Sequence, residues 1–218
     1  MSVTQNLSRI KSTLPAQVRL IAVSKTKPVE LIQEAYAAGQ RVFGENKAQE
    51  MRDKEAVLPK DIEWHFIGHL QSNKVKYIAP FVALIHSVDS YELLQVIDKE
   101  GKKHNRIIAC LLQVYIANED TKYGLDDAEL FALLDKLKAE PLANIAINGL
   151  MGMATNTDDE GQIRYEFKHL AALFNTVKEK YALPCFTEIS MGMSSDYLIA
   201  VEEGSTLVRI GSDIFGSR

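Results

Sequence analysis

The stretch "VRLIAVSKTKPVELIQEAYAAG", residues 18–39, joins an apolar, β-branched run to a segment of helical period. "RLIAVS" (19–24) reads as a buried strand, and the segment that follows reads as a helix from 28 to 39. Pro28 suits the first helical turn and Gly39 a helix end. The same unit recurs along the chain. Further strands are read at "RVFG" (41–44), "EWHFIG" (63–68), "ALIHSV" (83–88), "RIIACLLQVYI" (106–116), "IAINGLM" (145–151), "CFTEIS" (185–190) and "TLVRIG" (206–211). Helices are expected near 46–57, 71–79, 90–104, 126–139, 159–181 and 194–203, with a short terminal turn at "SDIFG". Asn46 and Gln49 have the spacing of a capping box.

Strand alternating with helix implies parallel pairing. No Pro/Gly/Ser linker divides residues 1–218, so they are expected to form one domain. Eight strands predict a (β/α)8 barrel, compact for a class of typically ~250 residues, preceded by a helix near 3–14. An open doubly wound sheet is the alternative, but eight strands in one linker-free chain close more naturally than they stay open.

Composition narrows the partners. A net charge of −4 and a pI near 5.8 leave no basic footprint for nucleic acid. The polar opening "MSVTQNLSRIKS" lacks the apolar segment of a signal peptide, and the longest apolar run, "YIAPFVALI" (77–85), is too short to span a bilayer. Cys110 and Cys185 lie in separate strand-like runs without a Cys-x-x-Cys pattern, which reads as reduced core thiols and a cytoplasmic location.

In a parallel barrel the C-terminal strand ends and the loops after them build the site. Lys25 ends the first strand and shares a face with Val23 and Ile21, so it points to where the barrel interior opens. A solvated side chain is the ordinary alternative, but apolar surroundings would favour its neutral amine, a nucleophile toward aldehydes. Lys27, beside Pro28, reads as solvated. After the seventh strand comes "SMGMSSDYLIAVEEG" (190–204), and after the eighth "VRIGSDIFG" (208–216). Barrels bind phosphate between these two loops, here with Ser194, Ser195, Gly211 and Ser212. Helix capping is the ordinary alternative for such serines. Arg209, inside the eighth strand, either faces the helices and snorkels out or faces the lumen, where it would donate to a ring nitrogen of a bound cofactor. Amine, phosphate cradle and ring-nitrogen donor together describe a site for pyridoxal 5'-phosphate (PLP). Met151 or Met193 is placed to pack on the flat ring, core filling being the commoner role. His65 and His69 straddle a strand end without a zinc-protease glutamate, so no metal site is expected and His65 reads as packed at the barrel mouth.

"AVSKTKP" (22–28), "FGEN" (43–46), "WHFIGHLQSNK" (64–74), "MGMSSD" (191–196) and "LVRIGSDIFG" (207–216) resemble the PLP-binding, or PLP homeostasis, family (YggS/PROSC), over nearly the whole chain. The resemblance implies the barrel of alanine racemase N-terminal domains, a monomer, and PLP binding without established catalysis. It implies that Lys25 holds the aldehyde as an internal aldimine. The phosphate would lie at Ser194, Ser195, Gly211 and Ser212, the pyridine nitrogen at Arg209, and the phenolic side near Asn46. "NEDTKYG" (118–124) departs from the family's motif after the fifth strand and makes Lys122 a candidate second lysine. His69 stands where relatives often carry proline.

Three functions compete: a PLP carrier serving apo PLP-dependent enzymes, an amino-acid racemase, and a Schiff-base aldolase. The aldolase leaves Arg209 without a task. The racemase needs an acid/base on each ring face, and no second domain is evident to supply one. The carrier is therefore the expected function.

Overall fold

The computed structural model describes residues 2–118 and 123–216. A helix α1 (Val3–Thr13) precedes the first strand, β1 (Arg19–Val23). Then follow α2 (Val29–Ala37), β2 (Val42–Glu45), α3 (Ala48–Val57) and β3 (Glu63–Phe66). A 3-10 turn (Ser72–Lys74) runs into α4 (Val75–Ile78), and β4 (Leu84–Val88), α5 (Tyr91–Lys103), β5 (Ile108–Gln113) and α6 (Asp127–Ala139) come next. The remaining elements are β6 (Ile145–Met151), α7 (Glu160–Tyr181), β7 (Glu188–Ser190), α8 (Tyr197–Glu202), β8 (Leu207–Ile210) and α9 (Ser212–Phe215).

The strands pair in chain order, all parallel, and β8 returns to β1 to close the barrel. The open-sheet alternative is thereby excluded. The period of two sorts each strand between two cores. Ile21, Val42, Leu84, Leu111, Met151 and Leu207 fill the barrel interior. Their neighbours Leu20, Ala22, Phe43 and Val208 face outward into the layer shared with the helices. Each large side chain fully buried there contributes ~1.5–3 kcal/mol. Because Ile21 points inward, Val23 and Lys25 follow on the same side, up to the barrel mouth. Among the described residues, no helix is long and apolar enough to cross a membrane.

Several local readings need correction. α3 does not start in an Asn46–Gln49 capping box: Lys47 holds the N-cap position without a side-chain bond, and Asn46 lines the barrel mouth instead. Capping boxes do form at α1 (Ser2 with Gln5) and α6 (Asp126 with Glu129). Pro28 precedes α2, in the N-cap position, rather than occupying its first turn. Cys110 is buried, but Cys185 is exposed, because β7 is only three residues long and Phe186 takes the inward position, stacked on Phe174 at 4.7 Å.

Candidate functional site

At the C-terminal ends of the strands lies a cavity of about 650 Å³. Lys25 reaches it from the loop after β1, Asn46 from the end of β2, and Arg209 from β8. Ser194 and Ser195 come from the loop after β7, and Gly211 and Ser212 from the start of α9. Lys27 lines it as well. Among the described lining residues three are cationic and none carries a carboxylate. This lining suits an anionic ligand.

One wall is rich in unpaired donors. The backbone amides of Ser194, Ser195 and Ser212 have no acceptor among the described residues. The Ser212 hydroxyl meets that of Ser194 at 3.0 Å, which ties the two loops together. Gly211 lies close to the first strand: a Cβ there would sit 3.1 Å from the Val23 carbonyl, so Val23 would have to give by a few tenths of an ångström. Ser194 is no helix cap, since Asp196 holds the N-cap position of α8 and accepts the Met193 amide. Asn46 presents a buried amide oxygen without a partner. A phosphate on these amides and hydroxyls, with a polar ring substituent at Asn46, fits the donor set of the cavity.

Arg209 is 5% exposed and lies beside Ile21 across the β1–β8 seam. Its Nη1 donates to the Ser190 carbonyl (2.8 Å) and hydroxyl (2.6 Å), and its Nη2 to the Gly152 carbonyl (3.0 Å). Burial pulls its pKa down to about 10, opposed by the Asp196 carboxylate, so it stays charged at neutral pH. A chain continues beneath it through the barrel: Ser190 Oγ lies 2.9 Å from His86 Nδ1, and His86 Nε2 lies 3.0 Å from His65 Nδ1. His65 is therefore inside the barrel, whereas His69 stacks on Tyr123 at the cavity wall, 4.8 Å between centroids. Their spacing brings no metal ligands together.

The histidine pair makes stability sensitive to acid. Burial drops His65 to about 3, with Arg19 adding repulsion. Burial likewise holds His86 well below its ordinary value, helped by His65, Arg209 and Arg19. The unfolded chain takes up these protons first, near pH ~6.5. The stability is complete above that value and is lost as pH falls from it toward the folded values. Each imidazole should cost about 1.4 kcal/mol per pH unit below ~6.5, before carboxylates titrate. Urea midpoints measured from pH 7.5 down to 5 should fall accordingly. A flat profile would show that both rings are protonated in the folded chain.

The sequence matches the model of the alanine racemase N-terminal domain over residues 2–218. It is 39% identical to the pyridoxal phosphate homeostasis protein of Vibrio alginolyticus, covering all of this chain and 98% of that one. With the human protein of that name the identity is 38%, over 99% of this chain and 82% of that one.

The chain belongs to the pyridoxal phosphate homeostasis protein family.

A solved member, PipY of Synechococcus elongatus with PLP bound, superposes with a TM-score of 0.91 at 38% identity, covering 99% of this chain and all of that one. Alanine racemase from Bartonella henselae shares the fold alone, with a TM-score of 0.70 at 19% identity over 99% of this chain and 60% of that one.

Within this family member most of the site residues expected from sequence converge on one cavity: Lys25, Asn46, Met193, Ser194, Ser195, Arg209, Gly211 and Ser212 all line it. Met151 does not. It is 1% exposed in the barrel interior, and Met153, two residues on, lines the cavity in its place. Lys27 is not simply solvated, because its ammonium donates to the carbonyls of Gly216 (2.8 Å) and Phe215 (3.4 Å) at the end of α9. Lys122 lies outside the described residues. The Ser190–His86–His65 chain escaped the sequence reading. Ser190 and His86 are 104 positions apart, and no local pattern links them.

Proposed function

We propose that this protein binds PLP covalently through Lys25 and carries it to apo PLP-dependent enzymes, without turning over amino acids. The observation that carries this reading is the cavity itself: an arginine and two lysines, one of them at a strand end, with amides that have no acceptor and no carboxylate among the described residues. Bound there, PLP supplies an aldehyde electrophile and a ring able to accept electrons. Lys25 would hold the aldehyde carbon through its amine nitrogen, the carbonyl oxygen leaving as water. Ser194, Ser195, Gly211 and Ser212 take the phosphate, Arg209 takes the ring nitrogen, and Asn46 the phenolic edge. Residues 1–218 act as one cofactor-binding barrel, monomeric and cytoplasmic.

The absence of turnover follows from Arg209. A guanidinium only donates, so the ring nitrogen facing it stays unprotonated and accepts electrons poorly. Removing the α-proton of an amino acid also requires a base close to that proton. Neither buried imidazole, His65 nor His86, lines the cavity. His69 does line it, but stacked on Tyr123 and 3.6 Å from Asp89 it belongs to the wall.

The test is α-proton exchange in heavy water, followed by NMR across a panel of L- and D-amino acids. Negligible exchange, with PLP passing to an apo-enzyme in the same tube, is the expected result. Exchange at about 1 per second or faster, lost in Lys25→Ala, would make the protein an enzyme.

A further inference from the structure

Behind the loop that carries Lys25 lies a buried charge cluster for which the cofactor site has no direct use. Lys54, on α3, has a side chain only 8% exposed. Its ammonium makes three bonds: to the Ser24 carbonyl (2.8 Å), Glu45 Oε1 (2.7 Å) and Glu50 Oε1 (2.8 Å). The acceptors are not scattered. Glu45 Oε1 also accepts the Ser24 hydroxyl at 2.7 Å, and Glu50 Oε1 also accepts the Thr26 amide at 2.6 Å. Lys54 therefore grips the residue before Lys25 directly and through Glu45, and the residue after it through Glu50. Thr26 needs that grip. Its φ of +64° is left-handed, which a β-branched residue adopts only against strain. Without the Glu50 bond the turn would relax, and the Lys25 side chain leaves the backbone one residue earlier.

We propose that Lys54 is a positioning residue for Lys25: acting through Glu50 and Ser24, it holds the strained Thr26 turn that aims the Lys25 amine into the cavity. It touches neither cavity nor ligand. Its effect should appear only where a bond to Lys25 is made, and not in recognition of phosphate or ring. Pyridoxine 5'-phosphate separates the two, because it carries an alcohol in place of the aldehyde and cannot bond to an amine.

The proposal rests on PLP occupying this cavity, and a wild-type protein that binds neither compound would fail that reading instead. The variants are Lys54→Met and Glu50→Ala, the second of which keeps the buried Lys54–Glu45 pair and decides the matter should the first not fold. PLP affinity should fall about tenfold, the scale of one strained turn, while pyridoxine 5'-phosphate affinity stays within about twofold. Borohydride trapping on Lys25, mapped by peptide mass spectrometry, should fall in parallel. Glu50→Gln, which keeps the acceptor, should behave as wild type. Thr26→Gly placed in the Glu50→Ala background should restore PLP affinity, since glycine adopts positive φ without strain. Equal losses for both compounds, an unchanged PLP affinity, or failure of the glycine rescue would each overturn the proposal.

Discussion

Replacing Lys25 with alanine should abolish the visible absorbance of the bound cofactor and its trapping by borohydride, whereas Lys27→Ala should retain both. Both lysines line the cavity, so proximity alone does not separate them. Lys25 continues the inward face of β1 through Ile21 and Val23, and its neighbours Ser24 and Thr26 are held by the Lys54 cluster. Lys27 is engaged elsewhere, donating to the carbonyls that end α9. Its loss should loosen the turn that carries Ser212 and weaken PLP about threefold to tenfold, the worth of one ordinary hydrogen bond. Peptide mapping after reduction gives the result directly. An adduct mainly on Lys27 or Lys122 would overturn the assignment.

The second large effect belongs to the phosphate. Pyridoxal, which lacks it, should bind at least about a hundredfold more weakly than PLP, because charge-assisted bonds contribute ~1.5–3 kcal/mol each and several are lost. The expectation rests on the amides of Ser194, Ser195 and Ser212, which have no acceptor among the described residues, and on the hydroxyls of Ser194 and Ser212. No lysine stands in these two loops, so a phosphate held there would be met mainly by amides and hydroxyls. Titration of both compounds into the protein, followed by absorbance, measures the ratio. Comparable affinities would mean that the loops hold no phosphate. Gly211→Ala offers a further check, since the added methyl would be pressed against the Val23 backbone and the cradle would have to shift.

Where the sequence reading succeeded, the signal was local or periodic. The alternation of strand and helix needs only neighbouring residues; it pointed to eight parallel strands and favoured a barrel over an open sheet, and the structure closes them in chain order. A period of two carried Ile21 to Val23 to Lys25, whereas the face of Arg209 stayed open until the structure paired it with Ile21 on the lumen side. The failures have a common cause. Asn46 satisfies the letter of a capping box, but the cavity claims its side chain and the helix begins two residues later. Met151 has the right strand, yet its depth along the barrel axis puts it in the interior plug, a quantity that periodicity does not encode. Cys185 was misplaced because β7 is short and Phe186 competes for the buried position.

By itself the sequence favoured the barrel and its site-bearing end and made Lys25 the candidate amine, because burial periodicity and strand-end position are properties of contiguous residues. Only the tertiary structure decided what surrounds that amine. The Lys54–Glu45–Glu50 cluster joins α3 and β2 to the loop after β1, and the chain from Arg209 through Ser190 and His86 to His65 crosses strands far apart in sequence. Such contacts exist only once the barrel has closed. Burial then sets their strength, because a charge or imidazole removed from water depends on the few partners that closure brings to it.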